Sequence, residues 1–163
     1  MAASRNNPHP TMERSAARLA AVQALYQMDL AKTDANKVVS EFASHRLGHD
    51  VDGVEYEAAD ENFFRELVTG VVEHQRELDP MLDKRLAEGW RLGRIDSILR
   101  AILRAAAFEL MQRPDIPAKA IINEYVDVAH AFFGPEEPKV VNGILDALAR
   151  GIRAGEFEQS ANG

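Results

Sequence analysis

The sequence of 163 residues contains no cysteine, which excludes disulfide bonds, thiolate metal sites and thiol catalysis together. It also lacks any apolar run near the roughly 20 residues that a membrane-spanning helix requires. The N-terminal stretch MAASRNNPHP has no hydrophobic core of the kind that a secretory signal carries. We therefore expect a cytoplasmic protein with no membrane association.

Motifs for catalysis are missing as well. The sequence shows no glycine-rich phosphate loop, no metalloprotease histidine pair and no nucleophile elbow. His45 and His49 have a spacing that metal ligands use, but Gly48 and the polar residues that follow disfavour a rigid site. Glu109 falls on the apolar face of a predicted helix, where we expect it to pair with Arg113; the alternative is a buried contact between subdomains. We predict no enzyme activity, no metal and no cofactor.

The charge of the chain is segregated along its length. The net charge of −7 argues against nucleic-acid binding when it is read alone. However, residues 1–18 sum to +2 and residues 84–104 to +4, whereas residues 41–62 sum to −6. Segregation of this kind produces electropositive faces on an acidic protein. The alternative is that these runs are solvated helix faces with no partner.

Apolar residues that recur three and four positions apart predict seven helices and no strands, so the expected fold class is all-α. The predicted helices span residues 11–30, 34–46, 60–78, 80–88, 95–111, 117–132 and 138–151. Pro80 follows Asp79, a pair that predicts the end of one helix and a sharp start of the next. Arg100 and Arg104 lie on one edge of the fifth helix, where we expect the bundle to meet solvent; Arg104 is also expected to form an internal salt bridge.

The predicted helices form one domain with two short extensions. Residues 1–10 read as a disordered arm and residues 152–163 as a flexible tail. The domain at 11–151 consists of two packed helical subdomains at about 11–88 and 94–151, with the divide near Gly89.

Four segments carry a resemblance to a known family. They are ARLAAVQALYQMDL (17–30), ILRAILRAAAFELMQRPDIP (98–117), AIINEYVDVAHAF (120–132) and KVVNGILDAL (139–148). In this order they resemble the NusB family of transcription antitermination factors, over about residues 11–151. The resemblance implies an all-α fold and binding to the boxA element of nascent ribosomal RNA transcripts together with NusE, a small-subunit ribosomal protein. It also implies that this complex joins RNA polymerase and suppresses premature termination.

The resemblance places RNA contacts at both ends of the domain. The family's arginine-rich motif falls on Arg14 and Arg18, with Arg5 in the arm beyond it, and implies contacts with single-stranded RNA. Ser15 and Ala16 stand where the family often has arginine, which predicts weaker RNA binding and a shallower salt dependence. The alternative for Arg14 and Arg18 is that they solubilise the exposed end of a buried helix.

The remaining site residues concern the partner protein and the segment before the last helix. The resemblance places Tyr26 on the side that faces NusE, although a tyrosine on an apolar stripe also suits a core. The loop from Gly134 to Lys139 matches the family's acidic partner-contacting loop, with Glu136 and Glu137 as its carboxylates. Lys139 and Asn142 are candidate RNA contacts, and Asn142 could equally bridge helices.

Two other functions fit the same features. One is a helical protein-interaction module, such as a homodimer that hides its basic edge and binds no specific RNA. The other is an RNA-positioning domain related to those fused to ribosomal RNA methyltransferases, without catalytic activity of its own.

Overall fold

The structure is a computed structural model that describes residues 10–31, 34–45, 60–87 and 91–162. Within these ranges the chain forms seven α-helices, one 3₁₀ turn and no strand, which confirms the all-α class. The helices are α1 (Pro10–Ala31), α2 (Ala35–His45), α3 (Glu61–Asp83), α4 (Ser97–Gln112), α5 (Ala118–Phe132), α6 (Glu136–Ile152) and α7 (Ala154–Asn162). None of the described helices is both long and apolar enough to cross a membrane. Residues 1–9 of the predicted arm and the turn at Gly89 lie outside the described residues.

Helix α3 runs without interruption through Pro80, so the predicted restart at that proline is wrong. A proline inside a helix removes one N–H donor and crowds the preceding turn, at a cost of about 3 kcal/mol. The flanking side chains offset this cost. Leu78 and Leu82 are fully buried, and Asp79 accepts two hydrogen bonds of 2.8 and 2.9 Å from Arg104 of α4. Tertiary contacts therefore keep the helix continuous.

The chain divides into two compact units, Met1–Gly70 and Val71–Gly163, and the division falls inside α3. The predicted divide near Gly89 differs from this position. The C-terminal half of α3 contacts α4 through the Asp79–Arg104 pair and through His74, whose ring lies 5.7 Å from that of Phe108. Contacts between residues that are distant in sequence set this boundary, and local turn composition does not reveal them.

The first unit packs small side chains of α1 and aromatic side chains of α2 and α3. Ala17, Ala21 and Ala24 of α1 are fully buried, which allows neighbouring backbones to approach closely. Phe42 of α2 stacks with Phe64 of α3 at a centroid distance of 5.5 Å and an interplanar angle of 22°. Offset aromatic pairs of this kind contribute about 0.5–1.5 kcal/mol beyond the area that they bury.

The second unit is built around α4. Its side chains are buried on almost every side, because α5 and α6 both pack against it. The buried residues of α4 are Leu99, Ala101, Ile102, Leu103, Ala105, Ala106, Ala107, Phe108, Glu109 and Leu110. Helices α5 and α6 each bury a single apolar face, as surface helices do. Asp96 caps the start of α4 by accepting hydrogen bonds from the N–H groups of Ile98 and Leu99.

Glu109 is a carboxylate in the middle of this apolar core. It is fully buried and accepts a hydrogen bond from the hydroxyl of Tyr125 on α5. The sequence predicted a pairing with Arg113, whose backbone N–H donates to the carbonyl oxygen of Glu109 at 2.9 Å. The guanidinium of Arg113 also binds Asp115 through hydrogen bonds of 2.9 and 3.0 Å. Because Tyr125 follows Glu109 by 16 residues, helical spacing along α4 could not identify it as a partner.

The predicted flexible tail forms helix α7 from Ala154 to Asn162, so this prediction is wrong. The junction of α6 and α7 is Arg153, which is buried and ends α6. Its guanidinium donates hydrogen bonds to four backbone carbonyl oxygens at the end of α4 and in the following turn, those of Glu109, Leu110, Arg113 and Ile116. It also bonds Glu156 of α7 at 2.8 Å.

Glu156 connects α7 to the start of α5. One of its carboxylate oxygens accepts a hydrogen bond of 2.9 Å from the N–H of Ala118, and the other bonds Arg153. Pro117 precedes α5 and offers no side-chain cap, so Glu156 satisfies a donor at this helix start that would otherwise lack a partner. Partial burial raises the pKa of Glu156, but the bonds from Ala118 and Arg153 and the charge of Arg153 together lower it below its ordinary value of 4.5.

Replacement of Tyr125 by phenylalanine is expected to destabilise the protein by about 1–3 kcal/mol, because it removes a donor from a buried carboxylate. The matched control is Tyr26→Phe, which deletes the hydroxyl of a half-buried tyrosine that has no side-chain hydrogen bond among the described residues. Urea unfolding of the three proteins measures the difference. Equal stabilities for the two variants would contradict the structural role of the Glu109–Tyr125 bond.

Glu156→Gln is expected to lower stability at neutral pH and to change its pH dependence. A carboxylate whose pKa is lowered by folding stabilises the native state above its ordinary pKa, and this contribution is lost as the pH falls through the folded pKa. The deficit of the variant should therefore shrink below about pH 4.5. Thermal unfolding between pH 7 and pH 3 measures it, with Glu158→Gln on the same helix as the control. A deficit that does not change with pH would refute this origin.

Candidate nucleic-acid interface

In the first unit, two arginines of α1 lie over one aromatic ring of α3. The guanidinium carbon of Arg14 is 5.5 Å from the centroid of Phe63, and that of Arg18 is 5.0 Å from it. Both distances fall within the range of cation–π attraction. We refer to Arg14, Arg18 and Phe63 as the arginine cluster. The cluster exists because a spacing of four residues places both arginines on one face of α1.

Two hydrogen bonds fix the position of Phe63 against α1. Asp60 caps α3 through its carboxylate, which accepts the N–H of Phe63 at 2.9 Å. The N–H of Asp60 in turn donates to the carbonyl oxygen of Glu13 in the first turn of α1 at 3.0 Å. The start of α3 is thereby held at the start of α1, next to Arg14.

The two arginines of the cluster differ in their exposure. Arg14 is half-buried, whereas only 3% of Arg18 is exposed. The family resemblance implied RNA contacts for both arginines without distinguishing between them. In the structure Arg18 is a packing residue of the first unit, so Arg14 is the arginine of the pair that solvent and a phosphate can reach. Arg5 lies outside the described residues.

Tyr26 and Leu30 form an apolar edge further along α1. Tyr26 is half-buried and makes no side-chain hydrogen bond with the described residues. Leu30, one helical turn later, is 61% exposed, which is unusual for a large apolar side chain. Val22, one turn earlier, is fully buried. The row formed by Val22, Tyr26 and Leu30 therefore runs from the core to the surface, and Tyr26 lies at the boundary between the two.

In the second unit, the predicted acidic loop is largely helical. Helix α6 begins at Glu136, so Glu136, Glu137, Pro138 and Lys139 form its first turn. Carboxylates favour this position because they face the positive end of the helix dipole. Proline is tolerated because N–H groups in the first turn have no helical acceptor. Lys139 and Glu136 are both highly exposed and lie 3.9 Å apart, a weak ion pair that leaves both groups available to a partner.

The cations of the 84–104 stretch have two different roles. Arg104 binds Asp79, which confirms the expected internal salt bridge. Arg100 donates to the carbonyl oxygens of Leu92 and Ile95 and so holds the 3₁₀ turn. The solvent-facing edge predicted for Arg100 and Arg104 is therefore only partly exposed, and both guanidinium groups are bound within the unit. Arginines on a helix within a bundle bind neighbouring acceptors when these lie within reach.

Besides Lys84, the exposed cations of this stretch are Arg91 and Arg94, which the sequence did not single out. Their side chains make no hydrogen bond or ion pair with the described residues. They line a cavity of about 630 Å³ with Phe133, Val140 and the α6 carboxylates. The positive charge of residues 84–104 indicated a basic surface in this part of the chain. Only the structure distinguishes Arg91 and Arg94 from the arginines that bind partners within the unit. Asn142 is also exposed, and lines a different cavity.

No cluster of histidine, aspartate and glutamate within the described ranges has the arrangement of a metal site. His49, one of the two histidines with ligand spacing, lies outside those ranges. The fold and the exposed groups define an all-helical protein with accessible basic side chains, among them Arg14, which lies over the ring of Phe63. Accessible basic groups are a feature that nucleic-acid-binding proteins share.

The chain belongs to the NusB family, whose sequence model matches residues 15–150. Transcription antitermination protein NusB of Rhodopseudomonas palustris (strain BisB18) is 52% identical over 159 residues, which cover 94% of each chain. NusB of Bartonella tribocorum (strain CIP 105476 / IBS 506) is 51% identical and is matched over 92% of this chain and 96% of its own length.

Solved structures of the same family share the fold. T. maritima NusB superposes with a TM-score of 0.74 and 28% identity, covering 89% of this chain and 96% of that chain. A crystal structure of antitermination factors NusB and NusE in complex with dsRNA superposes with a TM-score of 0.68, covering 84% and 96%. At 23% identity the second likeness concerns the fold alone.

A double-mutant cycle between Arg14→Ala and Phe63→Leu is expected to give a coupling energy of about 0.5–1 kcal/mol, because leucine preserves most of the burial and removes the ring. Unfolding in urea supplies the four free energies. The control cycle pairs Phe63→Leu with Arg65→Ala, an exposed arginine of α3 that pairs with Glu61. Equal coupling in both cycles would show that Arg14 gains nothing from the ring.

Proposed function

We propose that this protein is an RNA-binding transcription antitermination factor that binds the boxA element of nascent ribosomal RNA together with NusE. In this role it joins the RNA polymerase antitermination complex and suppresses premature termination. The proposal rests on membership of the NusB family and on one observation in particular, the arginine cluster at the start of α1. It acts without catalysis of its own, in the cytoplasm where transcripts are made.

Arg14 is the central residue of the proposed RNA contact in the first unit. Its guanidinium is half-exposed and rests on Phe63, which restricts its motion and reduces the entropy lost on binding. Arg18 supports the same ring from the buried side. Arg14 and Arg5, even together with the few cations that the second unit adds, neutralise few phosphates, so RNA binding by this protein alone is expected to be weak and moderately salt-dependent.

In the second unit, Lys139 and Asn142 are the proposed RNA contacts, and both are exposed on α6. We add Arg91 and Arg94, because their unpaired guanidinium groups line one cavity with the start of α6. Glu136 and Glu137 border the same cavity and would repel phosphates from their own position. They suit a basic partner protein instead, and we assign them to the contact with NusE.

The apolar edge of Tyr26 and Leu30 supports a protein partner on α1. An aromatic ring with a polar tip beside an exposed leucine is the composition that protein interfaces favour. We assign this edge to NusE as well. Binding of RNA and NusE together would then compensate for the small number of phosphate contacts that this chain offers.

Fluorescence anisotropy with labelled boxA RNA and a scrambled RNA tests the proposal. NusE should tighten binding to boxA selectively, and Arg14→Ala should weaken it and reduce the salt slope by about one phosphate. The exposed Arg65 gives the control variant, Arg65→Ala, which should leave both quantities unchanged. The proposal fails if boxA RNA competes no better than scrambled RNA in the presence of NusE.

A further inference from the structure

A second cavity of the C-terminal unit has a polar lining of a different kind. It has a volume of about 390 Å³ and lies among α5, α6 and α7. It is lined by Lys119, Ile122, Asn123, Asn142, Asp146, Arg150 and Phe157. Four of the seven lining residues are exposed, so this is an open surface groove, and its volume lies near the lower end of the range of small-molecule sites, about 300 Å³. We refer to it as the amide pocket.

Helical register places the polar groups of the amide pocket in two facing rows. Asn142, Asp146 and Arg150 follow one another at intervals of four residues along α6. Lys119 and Asn123 have the same interval on α5. One asparagine therefore stands in each row. Phe157 is supplied by α7, the helix that the sequence did not predict.

Arg150 makes two contacts in this pocket before any ligand binds. Its Nε atom donates a hydrogen bond of 2.9 Å to Asp146. Its guanidinium carbon lies 4.6 Å from the ring centroid of Phe157. These two contacts favour one orientation of a planar group whose side chain is 61% exposed. Planar guanidinium groups of this type stack on nucleobases in RNA-binding proteins.

The other polar groups of the pocket are available to a ligand. The side chains of Lys119, Asn123 and Asn142 make no hydrogen bond or ion pair with any described residue. An asparagine amide offers both donors and an acceptor, the combination that can pair with a base edge. Lys119 offers a cation. With Arg150 and Asp146, the lining carries a net charge of +1, which favours a ligand with one phosphate.

We propose that the amide pocket binds one nucleoside monophosphate unit. Asn123 and Asn142 contact the edge of the base, Arg150 contacts its face, and Lys119 binds the phosphate. The unit is either a nucleotide of single-stranded RNA or a free mononucleotide, which share this chemistry. Only the RNA source rests on the proposed antitermination function, and there it gives Asn142 a defined role.

Titration of the ¹⁵N-labelled protein with AMP, CMP, GMP and UMP tests the pocket directly. At least one nucleotide should shift the side-chain amide signals of Asn123 and Asn142. Asn123→Ala should weaken that binding about ten-fold, in line with the loss of a bidentate amide contact. The matched control is Asn36→Ala, an exposed asparagine of α2, which should have no effect. Inorganic phosphate serves as the second probe, and shifts that it reproduces in full would overturn the assignment of a base site.

Single-stranded RNA with and without a boxA sequence separates the two sources. If RNA affinity falls for Asn123→Ala but not for Asn36→Ala, the pocket takes a nucleotide of the transcript. If mononucleotides bind and RNA affinity is unchanged, the pocket is a site for free nucleotides, and the proposal stands even where boxA recognition fails. The proposal is overturned if no mononucleotide shifts the two amide signals and both variants bind RNA equally.

Discussion

The C-terminal unit depends on the buried guanidinium of Arg153. The last carbonyl groups of a helix have no partner within that helix, and burying them without one is costly. Arg153 donates to the carbonyl oxygens of Glu109 and Leu110 in the last turns of α4 and to two more in the turn that follows. Its bond to Glu156 extends this contact to the N–H of Ala118 at the start of α5. One side chain thus connects the end of α4, the start of α5 and the junction of α6 with α7.

Hydrogen bonds and ring contacts inside each unit also determine which arginines remain available to a partner. Arg18, Arg100, Arg104 and Arg153 bind aromatic rings, carbonyl oxygens or carboxylates of their own unit. Arg91 and Arg94 are exposed and Arg14 is half-buried, so solvent reaches all three side chains. Internal contacts therefore leave this acidic chain fewer arginines for an anionic ligand than its sequence contains. This reduced number explains why we expect recognition of RNA to require a second protein.

The sequence was sufficient where a structural property repeats along one helix. The periodicity of residues 95–111 and 117–132 predicted α4 and α5 to within about two residues, and the family segments predicted the all-α class. The sequence was insufficient where the local structure depends on a contact with a residue far away in the chain. Pro80 stays helical because of Arg104, Glu109 is paired with Tyr125 across two helices, and α7 is joined to the fold through Arg153. The burial of Arg18 has the same origin, since Phe63 lies 45 residues further along the chain.

The Glu109–Tyr125 contact also constrains how the sequence can change over evolutionary time. Two polar groups satisfy each other in a core that excludes water, so loss of either one leaves the other without that partner. Replacement of both by apolar residues of similar volume would avoid this penalty, but single mutations reach that state only through a destabilised intermediate. Residues 109 and 125 are therefore expected to covary among relatives, so that the polar pair is either kept or replaced as a whole.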